Sequence, residues 1–166
     1  MDACLCAVTY QWPWTDCIAG FKFKNDTGLA ATLAEILMRT PGVAPVLAAA
    51  DAVVPLPLSA PRLAERGYNQ TLLLARRLAP GRVRADVLQR TRHTLPQHEK
   101  TREQRLKSLV GAFSVHPARA GDLRGQRVVL LDDVMTTGAT LRAAAGELRK
   151  ANPRHITALV IARTGH

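Results

Sequence analysis

The chain is short of acid, of cysteine and of long apolar runs, and each shortage narrows what it can be. Only 13 of its 166 residues are Asp or Glu, against 23 Lys or Arg, a formal net charge of +10. That balance suits polyphosphate ligands, nucleic acid or an acidic partner. Most of the excess lies between Arg62 and Arg105, where the plainer reading is a solvated arginine-rich surface. No run of 18 apolar residues occurs, so no membrane span is expected. The start, Met-Asp-Ala-Cys-Leu-Cys, lacks the basic region and apolar core of a secretory signal, and a cytoplasmic location is the expectation. The three cysteines are Cys4, Cys6 and Cys17, and the first histidine is His93. A structural zinc site usually takes four ligands, so free thiols and no zinc are expected. His93, His98, His116, His155 and His166 show no paired spacing. There is no Gly-Lys dipeptide either, which excludes a P-loop.

What remains is ordinary globular material, 47% hydrophobic, of a length for one domain with a real core. We read residues 1–166 as that domain, with residues 1–25 as a lead-in and residues 90–107 as a mobile loop. The latter stretch is polar, charged and without clear periodicity, and long polar loops inside compact domains are usually functional or disordered. Apolar spacing predicts a helix from Leu29 to Arg39 behind an Asp26-Thr27 cap, a loop at Pro41-Gly42 and Pro45, and a helix from Asn69 to Leu78. Strand character appears at Ala52–Val54, Val87-Leu88, Ala112–Val115, Val128–Leu131 and Ile156–Ala162. Leu141 to Ala151 reads as a helix with Leu141, Ala144, Ala145 and Leu148 along its packing face. Strands alternating with helices predict an α/β fold, a central mainly parallel sheet flanked by helices. Ligands in such sheets sit beyond the carboxyl ends of the strands.

The segment Val128-Val-Leu-Leu-Asp-Asp-Val-Met-Thr-Thr-Gly-Ala-Thr140 lies at that edge. A buried strand runs into two carboxylates, then a hydroxyl-rich loop with one glycine, then a helix. Backbone N–H groups at a helix start, with the macrodipole and nearby hydroxyls, bind phosphate. Asp132 and Asp133 could accept hydrogen bonds from vicinal sugar hydroxyls or hold a hydrated Mg²⁺. One ligand meets both demands, a ribose carrying a 5-phosphate. Arg62 and Arg66 flank the approach, where forked guanidinium hydrogen bonds suit pyrophosphate oxygens, although both could equally cover the following helix. Tyr68, Asn69 and Gln70 read as packing and N-cap residues, and Trp12 and Trp14 as packing with an alternative stacking role.

The segment closely resembles the phosphoribosyl-diphosphate (PRPP) motif of the type I phosphoribosyltransferases. The resemblance implies that Asp132 and Asp133 hold the ribose hydroxyls and Mg²⁺, and act at the reacting centre. It implies that Val134, Met135, Thr136, Thr137, Gly138, Ala139 and Thr140 wrap the 5-phosphate. A small flexible hood is implied above them. Purine-salvage members similar to the hypoxanthine enzymes carry an Asp where this chain has Thr136, so a base contact of that kind is not expected.

Two further segments are similar to the competence-associated ComF family: Val53-Val-Pro-Leu-Pro-Leu-Ser-Ala-Pro-Arg-Leu-Ala-Glu-Arg-Gly-Tyr-Asn-Gln70 and Thr94-Leu-Pro-Gln97 with Arg105 and Gly111-Ala-Phe113. Phe21-Lys-Phe-Lys24 fits the same pattern. That family often carries an amino-terminal zinc ribbon, which the sequence does not show, and it tends to have Leu and Asn where this chain has Lys100 and Ser108. The resemblance implies PRPP or another ribose 5-phosphate as ligand, with transfer to an unidentified acceptor. The competing expectation is a non-catalytic protein holding single-stranded DNA and a competence helicase during DNA uptake. A homodimer is compatible with either.

Overall fold

The computed structural model describes residues 1–24, 26–91, 109 and 111–165. Its centre is a pair of long strands, β5 (Arg127–Met135) and β6 (His155–Arg163), flanked by β1 (Ala3–Thr9) and β2 (Ala52–Pro55) in the order β1-β6-β5-β2. Every neighbouring pair is parallel. Strands buried on both faces need near-continuous apolar sequence. Val128–Leu131 and Ile156–Ala162 supply it and are buried throughout. Side chains alternate along a strand, so Val129, Leu131, Leu159 and Ile161 fall in one core cluster and Val128, Leu130, Ala158 and Val160 in the other.

The first face is covered by α1 (Trp14–Phe23), α2 (Leu29–Arg39), α3 (Val43–Ala49) and, beyond α4 (Ala60–Arg66), by α5 (Gln70–Leu78). The second is covered by α6 (Ala139–Arg149), whose Leu141, Ala144, Ala145 and Leu148 are buried as their spacing requires. Each such Leu is stabilising by about 1.5–3 kcal/mol relative to exposure. Over that second face sits a separate antiparallel pair, β3 (Leu88–Arg90) with β4 (Phe113–Val115). Among the described residues no helix is long and apolar enough to cross a membrane.

Several expectations are corrected. Residues 1–25 are no lead-in: β1 extends the sheet along β6 and α1 packs Ile18 and Phe21 fully into the core. Pro45 lies inside α3 rather than a loop, because the first turn of a helix has no intrahelical use for its N–H. The segment after β2 contains α4, with Ser59 at its N-cap position and Gly67 at φ +76° ending it. The Asp26-Thr27 cap on α2 is not made by side chains; Gly28 stands at the cap position and backbone carbonyls of both residues accept from the first turn. The strands at Val87-Leu88 and Ala112–Val115 pair with each other instead of joining the parallel sheet. Trp12 is 77% exposed and does not pack. The mobile-loop assignment, with Thr94–Gln97, Lys100, Arg105 and Ser108, falls outside the described residues except at its first positions.

Candidate functional site

Pairing between β2 and β5 stops at Pro55 and Leu131, after a last bond from the Leu56 N–H to the Leu131 carbonyl at 2.9 Å. β5 runs on through Asp132 and Asp133 to Met135, paired with β6 alone among the described residues. The two acids are therefore strand residues rather than a crest beyond the strand. Adjacent strand residues point to opposite faces, so the sheet splits the pair.

Asp133 turns to the face covered by α1 and α5 and is 4% exposed. Lys22 Nζ lies 2.6 Å from its Oδ1, and Gln70 Nε2 donates to its Oδ2 at 2.5 Å. Asp133 is thus enclosed rather than open to solvent. Among the described residues the Gln70 carbonyl oxygen has no donor, and it is closed to solvent. Asp132 keeps partial exposure, and its Oδ1 accepts the Asp133 backbone N–H at 2.8 Å. Burial, and next the neighbouring Asp133 charge, push its carboxyl up to about 7, against that hydrogen bond and the charges of Lys22 and Arg90.

Beyond β5 the chain turns through Thr136 and Thr137 into Gly138, at φ +71°, a left-handed conformation that glycine adopts without strain. Thr137 Oγ1 accepts from the Ala139 N–H at 3.4 Å, and no side chain caps α6 at Gly138. The start of α6 thus keeps donors to offer an anion. Arg142, one turn into the helix, donates to the Thr137 carbonyl at 2.7 Å. Thr136 is exposed and Thr140 half-buried. Val134 and Met135 put their side chains against the two cores and Ala139 is buried, so these three offer a ligand backbone rather than side chains.

A cationic rim faces the acids. Arg62 and Arg66 come from α4, with the Arg66 guanidinium 4.8 Å from the Phe23 ring centroid. Burial lowers the Arg66 pKa, while the Asp133 charge raises it. Arg90, on β3, lies 5.4 Å over Phe113. Burial and then the Arg62 charge lower its pKa, while Asp132 raises it. Asn69 accepts from the N–H groups of Thr71 and Leu72 as the expected N-cap of α5, and its Nδ2 donates to the Leu56 carbonyl at 3.1 Å. The Tyr68 hydroxyl donates to the Phe21 carbonyl. Phe21–Lys24, Arg66–Gln70 and the acid pair are thereby locked into one unit.

The structure links Asp133 to Arg66, Asp132 to Arg90, and both arginines to Arg62 through their mutual charge effects, and the Thr136–Thr140 loop follows β5 directly. It adds Lys22, Gln70, Arg90 and Arg142, which sequence reasoning left out. Lys22 and Gln70 sat in segments already singled out, but nothing in residue type separates a buried partner of a carboxylate from a surface lysine or a helix-start glutamine.

The phosphoribosyl transferase domain family matches residues 64–166. The chain belongs to that family. It is 33% identical over 162 residues to competence protein F of Haemophilus influenzae, covering 93% of this chain and 69% of that protein. It is 28% identical over 165 residues to the DNA utilization protein YhgH of Escherichia coli K12, with the same coverage. Among solved structures it is similar to an allosteric regulatory enzyme of purine biosynthesis, with TM-score 0.53 and 17% identity over 87% of this chain and 30% of that one. That last likeness concerns the fold, a type I phosphoribosyltransferase-like α/β sheet. Within the phosphoribosyl transferase family the chain falls with the ComF relatives. Lys22 and Arg62 lie outside the residues the family matches.

Proposed function

We propose that this phosphoribosyl transferase domain binds PRPP with Mg²⁺ at the carboxyl edge of β5 and transfers the phosphoribosyl group to an acceptor. The observation that carries the reading is the start of α6 behind Gly138, where Thr137 Oγ1 accepts only the Ala139 N–H, directly after a strand that ends in Asp132 within the field of Arg90 and Lys22. The 5-phosphate is held by the Thr136–Thr140 backbone and hydroxyls, and the pyrophosphate by the Arg62 and Arg66 forks.

Mg²⁺ binds readily through one or two carboxylates together with substrate oxygens and waters. Asp132 fits that demand, whereas Asp133 has each oxygen engaged by Lys22 or Gln70 and does not fit as a direct ligand. The ion, when bound, offsets charge on the departing pyrophosphate. Asp132 accepts from a sugar hydroxyl, orients the ring and offsets positive charge developing at C1 as a nucleophile displaces pyrophosphate. Lys22 and Gln70 hold the strand end that aims it.

Calorimetry with PRPP and Mg²⁺, followed by a screen for pyrophosphate release across acceptor bases, tests the reading. Absence of binding at millimolar PRPP would sink it. Binding without release under any acceptor would leave a sensor in place of a transferase. A second reading is favoured by the rim itself: Arg62, Arg66 and Arg90 provide cations, and Phe23, beside Arg66 and 69% exposed, an aromatic face for single-stranded DNA. The names of the two bacterial relatives, a competence protein and a DNA utilization protein, are consistent with a role at DNA.

A further inference from the structure

At the edge of the sheet opposite the acid pair, where β5 and β6 begin, a cavity of about 430 Å³ lies between α3 and the two strands. Arg127 pairs with His155 and Val129 with Thr157. Alternation turns all four toward α3, whose Val46 and Ala49 form the apolar wall across from them. The rim is fixed in place from both directions. Asp51 Oδ2 accepts the Arg127 N–H at 2.7 Å, and the Asp51 N–H donates to the Arg127 carbonyl at 2.9 Å. The Arg82 guanidinium closes the end of α3, donating to the carbonyls of Leu47 at 2.7 Å and Ala50 at 3.1 Å.

The polar groups lining this cavity are unspent. Thr157 is 4% exposed, and among the described residues its hydroxyl has no hydrogen-bond partner. The Arg127 and Arg154 guanidiniums, exposed at the mouth, likewise have neither hydrogen bond nor ion pair among the described residues. The nearby acids are engaged elsewhere. Asp51 holds the Arg127 backbone, and Asp2, 3.7 Å from His155 Nδ1, accepts from Arg149 and from the Ile156 N–H. An unpartnered buried hydroxyl costs free energy that a ligand group recovers, and guanidinium forks bind carboxylate and phosphate alike. Small-molecule sites are cavities of about 300–1,000 Å³ with apolar walls and a few convergent polar groups. We propose that this cavity is a second binding site, for a small organic anion. Its aromatic-sized body lies against Val46 and Ala49, its carboxylate or phosphate head meets Arg127 and Arg154, and a polar group on the body reaches Thr157. Five residues of β5 separate Arg127 from Asp132, about 16 Å of extended chain, so this ligand and PRPP do not compete.

The test is calorimetry of the intact protein with 4-hydroxybenzoate and with phenyl phosphate, each repeated in saturating PRPP and Mg²⁺. At least one compound should bind with a dissociation constant of about 1 mM or tighter, unchanged by PRPP. Which of them binds the tighter assigns the head as carboxylate or phosphate. Arg127→Gln and Arg154→Gln, both at exposed positions, should each weaken binding about tenfold with the melting temperature kept. Thr157→Val should weaken 4-hydroxybenzoate, if that is the ligand bound, more than benzoate. No saturable binding of either compound overturns the inference. So does binding that PRPP displaces, or binding that survives both arginine substitutions.

Discussion

Replacing Lys22 by methionine should cost this protein more stability than any change on its exposed surface, because of where it leaves Asp133. The ammonium and carboxylate side chains are 18% and 6% exposed, 2.6 Å apart. Breaking a buried ion pair from one side typically costs about 3–5 kcal/mol, since the stranded charge has no water to return to. Lys22 is not fully enclosed and Gln70 still donates to Asp133, so the low end applies, about 3 kcal/mol for Lys22→Met. Asp133→Asn is milder, about 1–2 kcal/mol, because the amide oxygen still accepts and the ammonium can reach toward solvent. In a chain of this size each kcal/mol moves Tm by about 2–4 °C, so Lys22→Met should melt about 6–12 °C below the parent. The double variant should melt higher than the sum of the single losses requires, with a coupling of at least about 1 kcal/mol. Calorimetric melts of the four proteins at one pH measure the cycle. Strict additivity, or a Lys22→Met protein melting within about 2 °C of the parent, would refute an Asp133 anchored by Lys22.

Five further outcomes are expected. Asp132→Asn should fold normally yet lose PRPP affinity, as calorimetry beside a melt would register; unchanged affinity removes its sugar role. Because the Asp132 carboxyl stands at about 7 when folded against an ordinary 3.8, its neutral form contributes stability that is complete below about pH 4. That contribution is lost as pH rises toward 7, so melts of the parent across this window should fall relative to those of Asp132→Asn. The ionised form is the better acceptor, and PRPP affinity should climb as pH passes through 7 in the parent by more than in Asp132→Asn, whose profile reports the ligand's own titration. Gly138→Ala forces a side chain into φ +71° with its Cβ 3.0 Å from Arg142 Nη1, a strain of about 1–2 kcal/mol, and phosphate titration should show affinity lowered roughly tenfold. If single-stranded DNA uses the cationic rim, its affinity should fall steeply with salt and with charge reversal at Arg90, together with Arg92 and Arg102 beyond the described residues; no binding at low salt ends that idea.

The sequence by itself determined the elements whose signal is local. Val128–Leu131 and Ile156–Ala162 are apolar on both faces, which only a central parallel strand can use. The Thr-Thr-Gly-Ala-Thr run carries its own turn and helix start, and Asn69 its own cap, since each depends on backbone groups within a few residues. Tertiary structure alone decided what the acids do. Whether β5 stopped at Leu131 or ran to Met135 depended on β6 continuing beside it, and only that extension throws Asp132 and Asp133 to opposite faces. Which of the two became interior was then fixed by α1 and α5, whose Lys22 and Gln70 reach Asp133 from distant parts of the chain. Charge and hydrogen-bond partners of that kind act through space, over a few ångströms, and no spacing along the sequence records them.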